Sequence, residues 1–222
     1  MLLAIDTATQ TMSIALHDGA ELLLEDTWQT SNNHTVELAP AVRAALARAG
    51  KPTLTAMAVS IGPGTYTGLR VGVALAKAMA SAQNLPLVGI STLDILALSQ
   101  PHFPGTLLTV VKAGRGRVVA ATYRWRKGQW AMQGEAEIFA WDALLERQKG
   151  AVMITGEVDE DGREAIERAR QTNPQLTLAP APRRLRRAGF LAEEAWQQLR
   201  VDRTAHVAAR VTPIYVKTKD SP

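Results

Sequence analysis

The sequence predicts an α/β protein of two lobes in which one order of strands and helices occurs twice. Two observations predict this class. Short apolar runs alternate with helical patterns along the chain, and three strand-like segments precede the first helix of each half. Apolar types make up 46% of the 222 residues and charged types 21%, a composition typical of chains with packed cores.

Three strands open the first half. The apolar run at Leu2–Ile5 is typical of a central strand, and the alternating pattern of Met12–Leu16 predicts a second. The turn pair Asp18-Gly19 then leads into a third strand at Glu21–Trp28. A hairpin connects strands that run antiparallel, so the sequence predicts an antiparallel start to the sheet.

Helices and strands alternate in the rest of this half. A helix is predicted over His34–Ala49, with Asn32 or Asn33 as its cap and Gly50 and Pro52 ending it. It is followed by a strand at Ala56–Ile61, a helix at Thr67–Gln83, a strand at Leu87–Ser91 and a helix at Leu93–Ser99.

The second half repeats this order without sequence identity to the first. Its predicted elements are strands at Leu107–Lys112, Val118–Trp125 and around Trp130, a helix at Trp141–Gln148, a strand at Ala151–Thr155, a helix at Asp161–Gln171, a strand at Leu176–Ala179 and a helix at Phe190–Leu199. Two such units in tandem are typical of a duplicated ribonuclease H-like fold, the actin-like ATPase (ASKHA) plan. Pro101–Gly105 is the expected hinge between lobes at residues 1–100 and 101–222, the final segment being a candidate to pack back on the first lobe.

Composition excludes several classes of protein. Cysteine is absent, which removes disulfides, cysteine-ligated zinc and thiol nucleophiles. No run reaches the ~18 apolar residues of a membrane span, and the opening MLLAIDTATQ has no basic leader. The expectation is a cytoplasmic protein that does not contact a membrane.

Positive charge is concentrated in the second half. Residues 1–100 hold five basic and seven acidic side chains, whereas residues 101–222 hold twenty and fourteen. Six basic residues and no acid lie between Lys112 and Lys127. Such patches attract phosphate backbones, although a solvated surface is the competing interpretation. The basic candidates are Arg115, Arg117, Arg124 and Arg126, with a second cluster at Arg183, Arg184, Arg186 and Arg187.

Two loops are candidates for binding an anion or nucleotide. DTATQT follows the first strand and offers Asp6, Thr7 and Thr9, while GPGTYTG precedes a helix N-terminus and offers Gly62 and Gly64. Helix N-termini favour anions. The competing interpretation is that both loops are tight turns whose polar groups serve their own backbone.

The helix after the glycine loop has one face of small residues. Gly68, Gly72, Ala76 and Ala80 recur every four residues, and each mid-helix glycine costs about 1 kcal/mol relative to alanine. Close approach of another helix commonly offsets such a cost. We therefore expect this helix and the one at His34–Ala49 to form a surface that docks another helix pair, and burial within one chain is the competing interpretation.

Catalytic and metal-binding patterns are missing from the sequence. His17, His34, His102 and His206 are too far apart for a metal pair on one helix. No acid/base pair of carboxylates or GxSxG elbow stands out. The sequence predicts no catalytic residue, no metal and no cofactor.

Five segments together resemble the TsaB (YeaZ) family. They read LLAIDTATQTMSIAL, NNHTVELAPAV, GPGTYTGLRVGVALAKAMA, LPLVGISTL and PIYVK at Pro213–Lys217. In the middle the chain departs from the family, since KAGRGRVV replaces a DARRGEVY pattern with Lys112 for the acid and Arg117 for the glutamate. The resemblance implies a dimerisation subunit of the bacterial tRNA threonylcarbamoyladenosine machinery.

The related TsaD family carries a metal-binding HxxxH, and in register those positions are Thr92 and Leu96 here. The resemblance therefore implies a catalytically silent subunit that forms a heterodimer with a TsaD-like enzyme, works with a TsaE-like ATPase, reaches tRNA through the complex, and forms a homodimer when the partner is absent. The implied interface residues are His34, Leu38, Val42, Leu46, Gly68, Leu69, Gly72, Val73, Ala76 and Ala80.

Three other functions stay open at this point. One is a small-molecule kinase of the actin-like group that uses Asp6 and the glycine loop on ATP. Another is a peptidase, a label attached to this superfamily. The third is a self-associating structural protein that uses the same helix pair as a homodimer.

Overall fold

The computed structural model describes residues 1–31 and 33–216, so the predicted cap at Asn32 and the terminal Lys217 of PIYVK lie outside the described residues. Two compact units are formed. Unit 1 contains Met1–Ile95 and Arg186–Ile214, and unit 2 contains Leu96–Leu185 with Tyr215 and Val216. The sequence-based boundary lies between residues 100 and 101, whereas unit 1 is built from two separate segments of the chain.

Ten strands and six α-helices are described. The strands are β1 (Leu2–Asp6), β2 (Thr11–His17), β3 (Leu22–Gln29), β4 (Ala56–Ser60), β5 (Leu87–Ile90), β6 (Thr106–Gly114), β7 (Arg117–Arg126), β8 (Gln129–Ala140), β9 (Val152–Gly156) and β10 (Leu176–Leu178). The helices are α1 (His34–Arg48), α2 (Tyr66–Ala82), α3 (Thr92–Leu98), α4 (Trp141–Glu146), α5 (Glu160–Arg170) and α6 (Ala188–Val201). None of these helices is both long and apolar enough to cross a bilayer.

The sheet of unit 1 has the order β3-β2-β1-β4-β5. β2 pairs antiparallel with β1 and β3, whereas β4 is parallel to β1 and β5 is parallel to β4. All residues of β1 and β4 are buried, as expected for central strands. The three antiparallel strands predicted at the start of the chain are confirmed.

The turn between β2 and β3 forms at Asp18-Gly19, as predicted. Gly19 has φ +106°, a conformation that a residue with a Cβ rarely adopts. The Asp18 carboxylate accepts the backbone N–H groups of Glu21 and Ala20, and these bonds lower the pKa of Asp18.

Helices cover both faces of this sheet. Leu38 and Val42 of α1 and Val73 of α2 share one core with Leu3 and Ile5 of β1. On the opposite face, α6 packs its buried side chains against β1, β2, β4 and β5. Unit 1 is therefore a three-layer α/β sandwich.

The position of α6 differs from the sequence-based assignment. A helix forms close to the predicted Phe190–Leu199, but it packs on the sheet of unit 1 rather than closing the repeat of the second half. Its apolar side chains Leu191, Ala195 and Leu199 match a sheet face that offers small residues such as Ala4 and Ala58. A sheet buried between two layers needs a cover on each face, and α6 supplies the second one.

The sheet of unit 2 has the order β10-β9-β6-β7-β8. When it is followed from the β8 edge, its strands have the same order as those of unit 1. β7 is antiparallel to β6 and β8, and β9 is parallel to β6 and β10. α4 and α5 pack on one face through Leu144, Ala165 and Ile166. The same connectivity in both units is that of a duplicated ribonuclease H-like fold, as predicted.

Candidate functional site

The loop after β1 packs directly against the loop before α2. Asp6, Thr7 and Thr9 are all buried. The Ala8 carbonyl accepts the Thr65 N–H at 2.6 Å, and the Thr7 hydroxyl donates to the Gly68 carbonyl at 2.7 Å. The two loops that the sequence offered as anion sites therefore use their polar groups on each other.

The glycines of the second loop are explained by close packing. A Cβ at Gly64 would lie 2.2 Å from the Ala8 carbonyl oxygen, and a Cβ at Gly62 would lie 2.4 Å from the Ile214 carbonyl oxygen. Backbone from two other parts of unit 1 thus occupies the space beside each glycine. Gly62 and Gly64 serve chain packing in this structure, and their role toward an anion stays a prediction.

A buried ion pair lies at the end of β1. The Arg186 Nε lies 3.1 Å from the Asp6 Oδ2, and both side chains are almost fully buried. The other carboxylate oxygen of Asp6 accepts the Ser60 hydroxyl and the Ala8 N–H, each at 2.9 Å. The guanidinium also donates to the Thr9 hydroxyl at 2.5 Å and to the Thr11 carbonyl at 3.0 Å.

Arg186 therefore supplies the positive charge that balances Asp6. Such a pair is stable when each partner is fully hydrogen-bonded, because the desolvation of both charges must be compensated. Asp6, Thr7 and Thr9 are buried and bonded within unit 1, and their role toward a nucleotide stays a prediction. Arg186 belongs to a predicted cluster of surface arginines, and nothing in the RRLRR pattern distinguishes it from its neighbours.

The small-residue face of α2 also faces the interior. A Cβ at Gly68 would lie 2.2 Å from the Thr7 carbonyl oxygen, and a Cβ at Gly72 would lie 2.1 Å from the Thr7 Oγ1. Ala76 and Ala80 are buried in the core with β1 and β4. The loop after β1 takes the space that the glycines leave, so this face packs within unit 1, and its docking of a second helix pair stays a prediction.

Most of the other expected interface residues are buried as well. The side chains of Leu38, Val42, Leu69 and Val73 are at most 4% exposed, and that of His34 bonds the Thr9 carbonyl through Nε2 at 2.8 Å. Leu46 alone among the ten is half-buried. These residues hold α1 and α2 on their own sheet.

An open apolar groove lies between α1 and α2 on the outer side of these helices. Its volume is about 410 Å³, and Leu46, Leu75 and Met79 contribute half-buried apolar side chains. The exposed cations Arg43 and Lys51 also line it. The remaining lining residues are Ala39, Val42, Ala47 and Pro52. The sequence already indicated that Leu75 and Met79 lie on a second apolar face, because α2 is apolar on nearly all sides.

The basic residues of β7 form two separate groups. Arg115 and Arg117 lie at the turn that begins β7, and Arg124 and Arg126 lie at its other end. Seven residues of extended chain, at ~3.3 Å each, separate Arg117 from Arg124 by roughly 23 Å. The run that the sequence presents as one patch is divided by the length of a strand.

No cluster of His, Asp and Glu side chains within residues 1–31 and 33–216 could hold a metal ion. Thr92 and Leu96, the two positions in register with the HxxxH motif, are both buried on α3.

The repeated topology and the packed end of β1 define the class of protein, an actin-like α/β protein of the duplicated ribonuclease H-like type. A family model described as TsaD, tRNA N6-adenosine threonylcarbamoyltransferase, matches residues 28–174. The chain is 32% identical over 160 residues to the tRNA threonylcarbamoyladenosine biosynthesis protein TsaB of Bacillus subtilis (strain 168), with 70% of each chain covered. It belongs to the TsaB family, within the wider group that the TsaD model describes.

A second relative agrees with this assignment, and a solved structure shares the fold. The chain is 34% identical over 159 residues to TsaB of Escherichia coli (strain K12), a match that covers 67% of this chain and 66% of that protein. A crystal structure from Pseudomonas aeruginosa, described as an uncharacterized protein with similarity to peptidase YEAZ, has a TM-score of 0.74 at 21% identity. That match covers 97% of this chain and 99% of the other, and it shows a shared fold.

Proposed function

We propose that this chain is a non-catalytic subunit that binds and activates a TsaD-like enzyme for the N6-threonylcarbamoylation of the adenosine following the anticodon in tRNA. The names of its relatives, tRNA threonylcarbamoyladenosine biosynthesis proteins, support the pathway. The observation that carries the proposal is the open apolar groove between α1 and α2.

The groove suits a helical partner. Its walls are aliphatic, and Leu46, Leu75 and Met79 leave part of their surface open to solvent. Apolar surface that a second chain covers stabilises an association by ~25 cal/mol per Å² before ordering costs. Since the TsaD family model spans both α1 and α2, a TsaD-like chain offers a related helix pair. Two such pairs would form a four-helix interface.

The inside of unit 1 supports a silent role. Asp6 is paired with Arg186 rather than left to hold a metal–nucleotide complex, which argues against the kinase alternative. Thr92 and Leu96 stand at the positions that the HxxxH motif occupies in register, and leucine cannot bind a metal. Within this proposal the chain works in the cytoplasm, assists a TsaE-like ATPase, reaches tRNA through the complex and self-associates when the partner is absent.

The groove is tested by placing charge in it. We expect the double variant Leu46→Glu/Leu75→Glu to bind a TsaD-like enzyme at least 10-fold more weakly, because two carboxylates would be desolvated in an apolar interface. Isothermal titration calorimetry measures the affinity. The matched control is Val201→Glu on α6, a position 88% exposed, which should bind within 2-fold of the unmodified chain.

Equal binding by the two variants would contradict the groove as the interface. Sedimentation velocity on the same samples tests the homodimer alternative. If the groove variant loses a self-dimer that the TsaD-like enzyme cannot displace, the chain is a self-associating protein instead.

The activity is tested by reconstitution. A TsaD-like enzyme, a TsaE-like ATPase, threonylcarbamoyl-adenylate and tRNA are combined with and without this chain. We expect modified tRNA only when the chain is present, and none from the chain alone. Product that is independent of the chain, together with no complex, would overturn the proposed function.

A further inference from the structure

We propose that the end of unit 2 formed by the β7–β8 hairpin and the segment after α4 binds RNA, by its phosphates and by stacking of a base on an exposed tryptophan. We call this region the hairpin-end surface and define it by Arg124, Trp125, Arg126, Lys127, Arg147 and Lys149. The proposal rests on the proposed function in one respect, since it takes tRNA as the RNA.

Cations from two separate elements meet at one cavity. Arg124 of β7 lines a cavity of about 390 Å³ together with Arg147 and Lys149, which follow α4. All three side chains are exposed. Arg126 shares the face of β7 with Arg124, two residues further along the strand, and Lys127 begins the turn. About twenty residues of sequence separate the cations of the hairpin from Arg147 and Lys149, and the fold assembles the two groups.

The cavity also has neutral and acidic groups. Thr122, Gln133 and Gln148 supply hydrogen-bonding side chains, and the carboxylates of Glu135 and Glu137 line the same space. Three cations, Arg124, Arg147 and Lys149, line the cavity with these two carboxylates, and Arg126 and Lys127 add two further cations on the hairpin. An excess of cations beside amide and hydroxyl groups suits a phosphate backbone, which takes both charged and neutral donors.

An aromatic cluster lies on the other face of the hairpin. Trp125 and Trp130 are paired across β7 and β8 with ring centroids 5.3 Å apart, and His102 lies 5.1 Å from Trp125. The Trp130 indole N–H donates to the Gln100 carbonyl at 3.2 Å, which fixes that ring. Trp125 nevertheless stays 37% exposed. A held, exposed indole at the same end of the hairpin as these arginines, on its opposite face, is a platform on which an unpaired base can stack.

The opposite end of β7 lacks these features. The backbone N–H of Lys112 donates to the Glu157 carboxylate at 3.1 Å, and a Cβ at Gly116 would lie 3.9 Å from the Asp161 Oδ2. Glu157 and Asp161 thus place two carboxylates at the end of β7 where Arg115 and Arg117 lie, and carboxylates weaken the attraction of a surface for phosphate. Two carboxylates also line the hairpin-end cavity, so what selects the hairpin end is the meeting of cations from two elements and the exposed indole of Trp125, which favours RNA over an acidic protein.

The test compares equal charge reversals at the two ends of β7. The probe is an unmodified tRNA transcript, and fluorescence anisotropy measures its affinity for the full chain at several salt concentrations. We expect Arg124→Glu/Arg126→Glu to weaken binding at least 10-fold and to lower the slope of log affinity against log salt by about 2, because two phosphate contacts are lost. Arg115→Glu/Arg117→Glu should weaken binding less than 3-fold. Equal effects, or no effect, would overturn the proposal.

Two further variants test the other parts of the hairpin-end surface, the segment after α4 and the exposed tryptophan. Arg147→Glu/Lys149→Glu lies on another element and should weaken tRNA binding as Arg124→Glu/Arg126→Glu does. Trp125→Ala should weaken tRNA binding 5-fold or more and leave poly-glutamate binding unchanged. If poly-glutamate displaces tRNA at equal charge concentration and Trp125→Ala has no effect, the surface binds acidic protein and the proposal is wrong.

Complex formation separates this proposal from the proposed function. Each hairpin-end variant is also titrated with the TsaD-like enzyme, and its affinity for that partner should be unchanged. If a hairpin-end variant keeps its affinity both for tRNA and for the TsaD-like enzyme, the RNA surface is refuted and the groove is not. Failure of the groove test with tRNA binding retained refutes the proposed interface instead.

Discussion

Replacing Arg186 with methionine is expected to lower the free energy of unfolding by about 3–5 kcal/mol, the usual cost of removing one partner from a buried ion pair. Asp6 would keep its bonds to the Ser60 hydroxyl and the Ala8 N–H. It would lose Arg186, the one cation that pairs with it among the described residues. Thr9 would also lose the guanidinium that donates to its hydroxyl. Urea denaturation followed by circular dichroism measures the loss.

The neighbouring residue supplies a matched control. Arg187 is exposed and pairs with Glu25, so Arg187→Met should cost at most about 1 kcal/mol. The double variant Asp6→Asn/Arg186→Met should be more stable than Arg186→Met alone, because the uncompensated charge is gone. A loss below about 1 kcal/mol for Arg186→Met would show that the buried pair contributes little to the fold.

Gly72→Ala is expected to destabilise unit 1 by about 1–3 kcal/mol, although alanine is the better helix former by about 1 kcal/mol. The new methyl group would lie 2.1 Å from the Thr7 Oγ1, which bonds the Gly68 carbonyl. Either the loop after β1 or α2 must move, and the bond is lost. A larger change such as Gly72→Leu therefore reports on this core rather than on a partner interface.

A double-mutant cycle isolates this contact. In a Thr7→Ala background the hydroxyl is absent, and the added cost of Gly72→Ala should fall below about 1 kcal/mol. In a Thr7→Val background a methyl group replaces the hydroxyl, and the full cost should persist. Thermal unfolding of the three single and two double variants, with the unmodified chain as reference, measures both values. A stabilising Gly72→Ala in the unmodified chain would contradict the packing described here.

The sequence predicted the fold well where the pattern is local. β1 and β2 were identified by an apolar run and by alternation, and the Asp18-Gly19 turn fixed their neighbour. The partner of α6 was not predictable in this way, because an amphipathic helix shows which of its faces is buried but not which sheet it covers. The element order of a repeat therefore assigned it to the wrong neighbours.

The candidate site was predicted less well, for three physical reasons. Gly72 signalled close packing, but the sequence does not say whether a helix or a loop approaches. Arg186 lies among surface arginines, and only the fold shows that it reaches Asp6. Arg117 and Arg124 are close in sequence, but an extended strand separates them. The groove at Leu46 lies on the outer side of α1 and α2, and its use as a partner interface stays a prediction.

The two-segment construction of unit 1 has a consequence for synthesis on the ribosome. About 90 residues lie between Ile95 and Arg186, and at about 5–20 residues per second they take about 5–20 s to be added. Throughout that interval the nascent sheet has one bare apolar face, and Asp6 has no counter-charge. Unit 1 is thus begun before the Leu96–Leu185 segment of unit 2 and completed after it, and during this delay its apolar face lies uncovered.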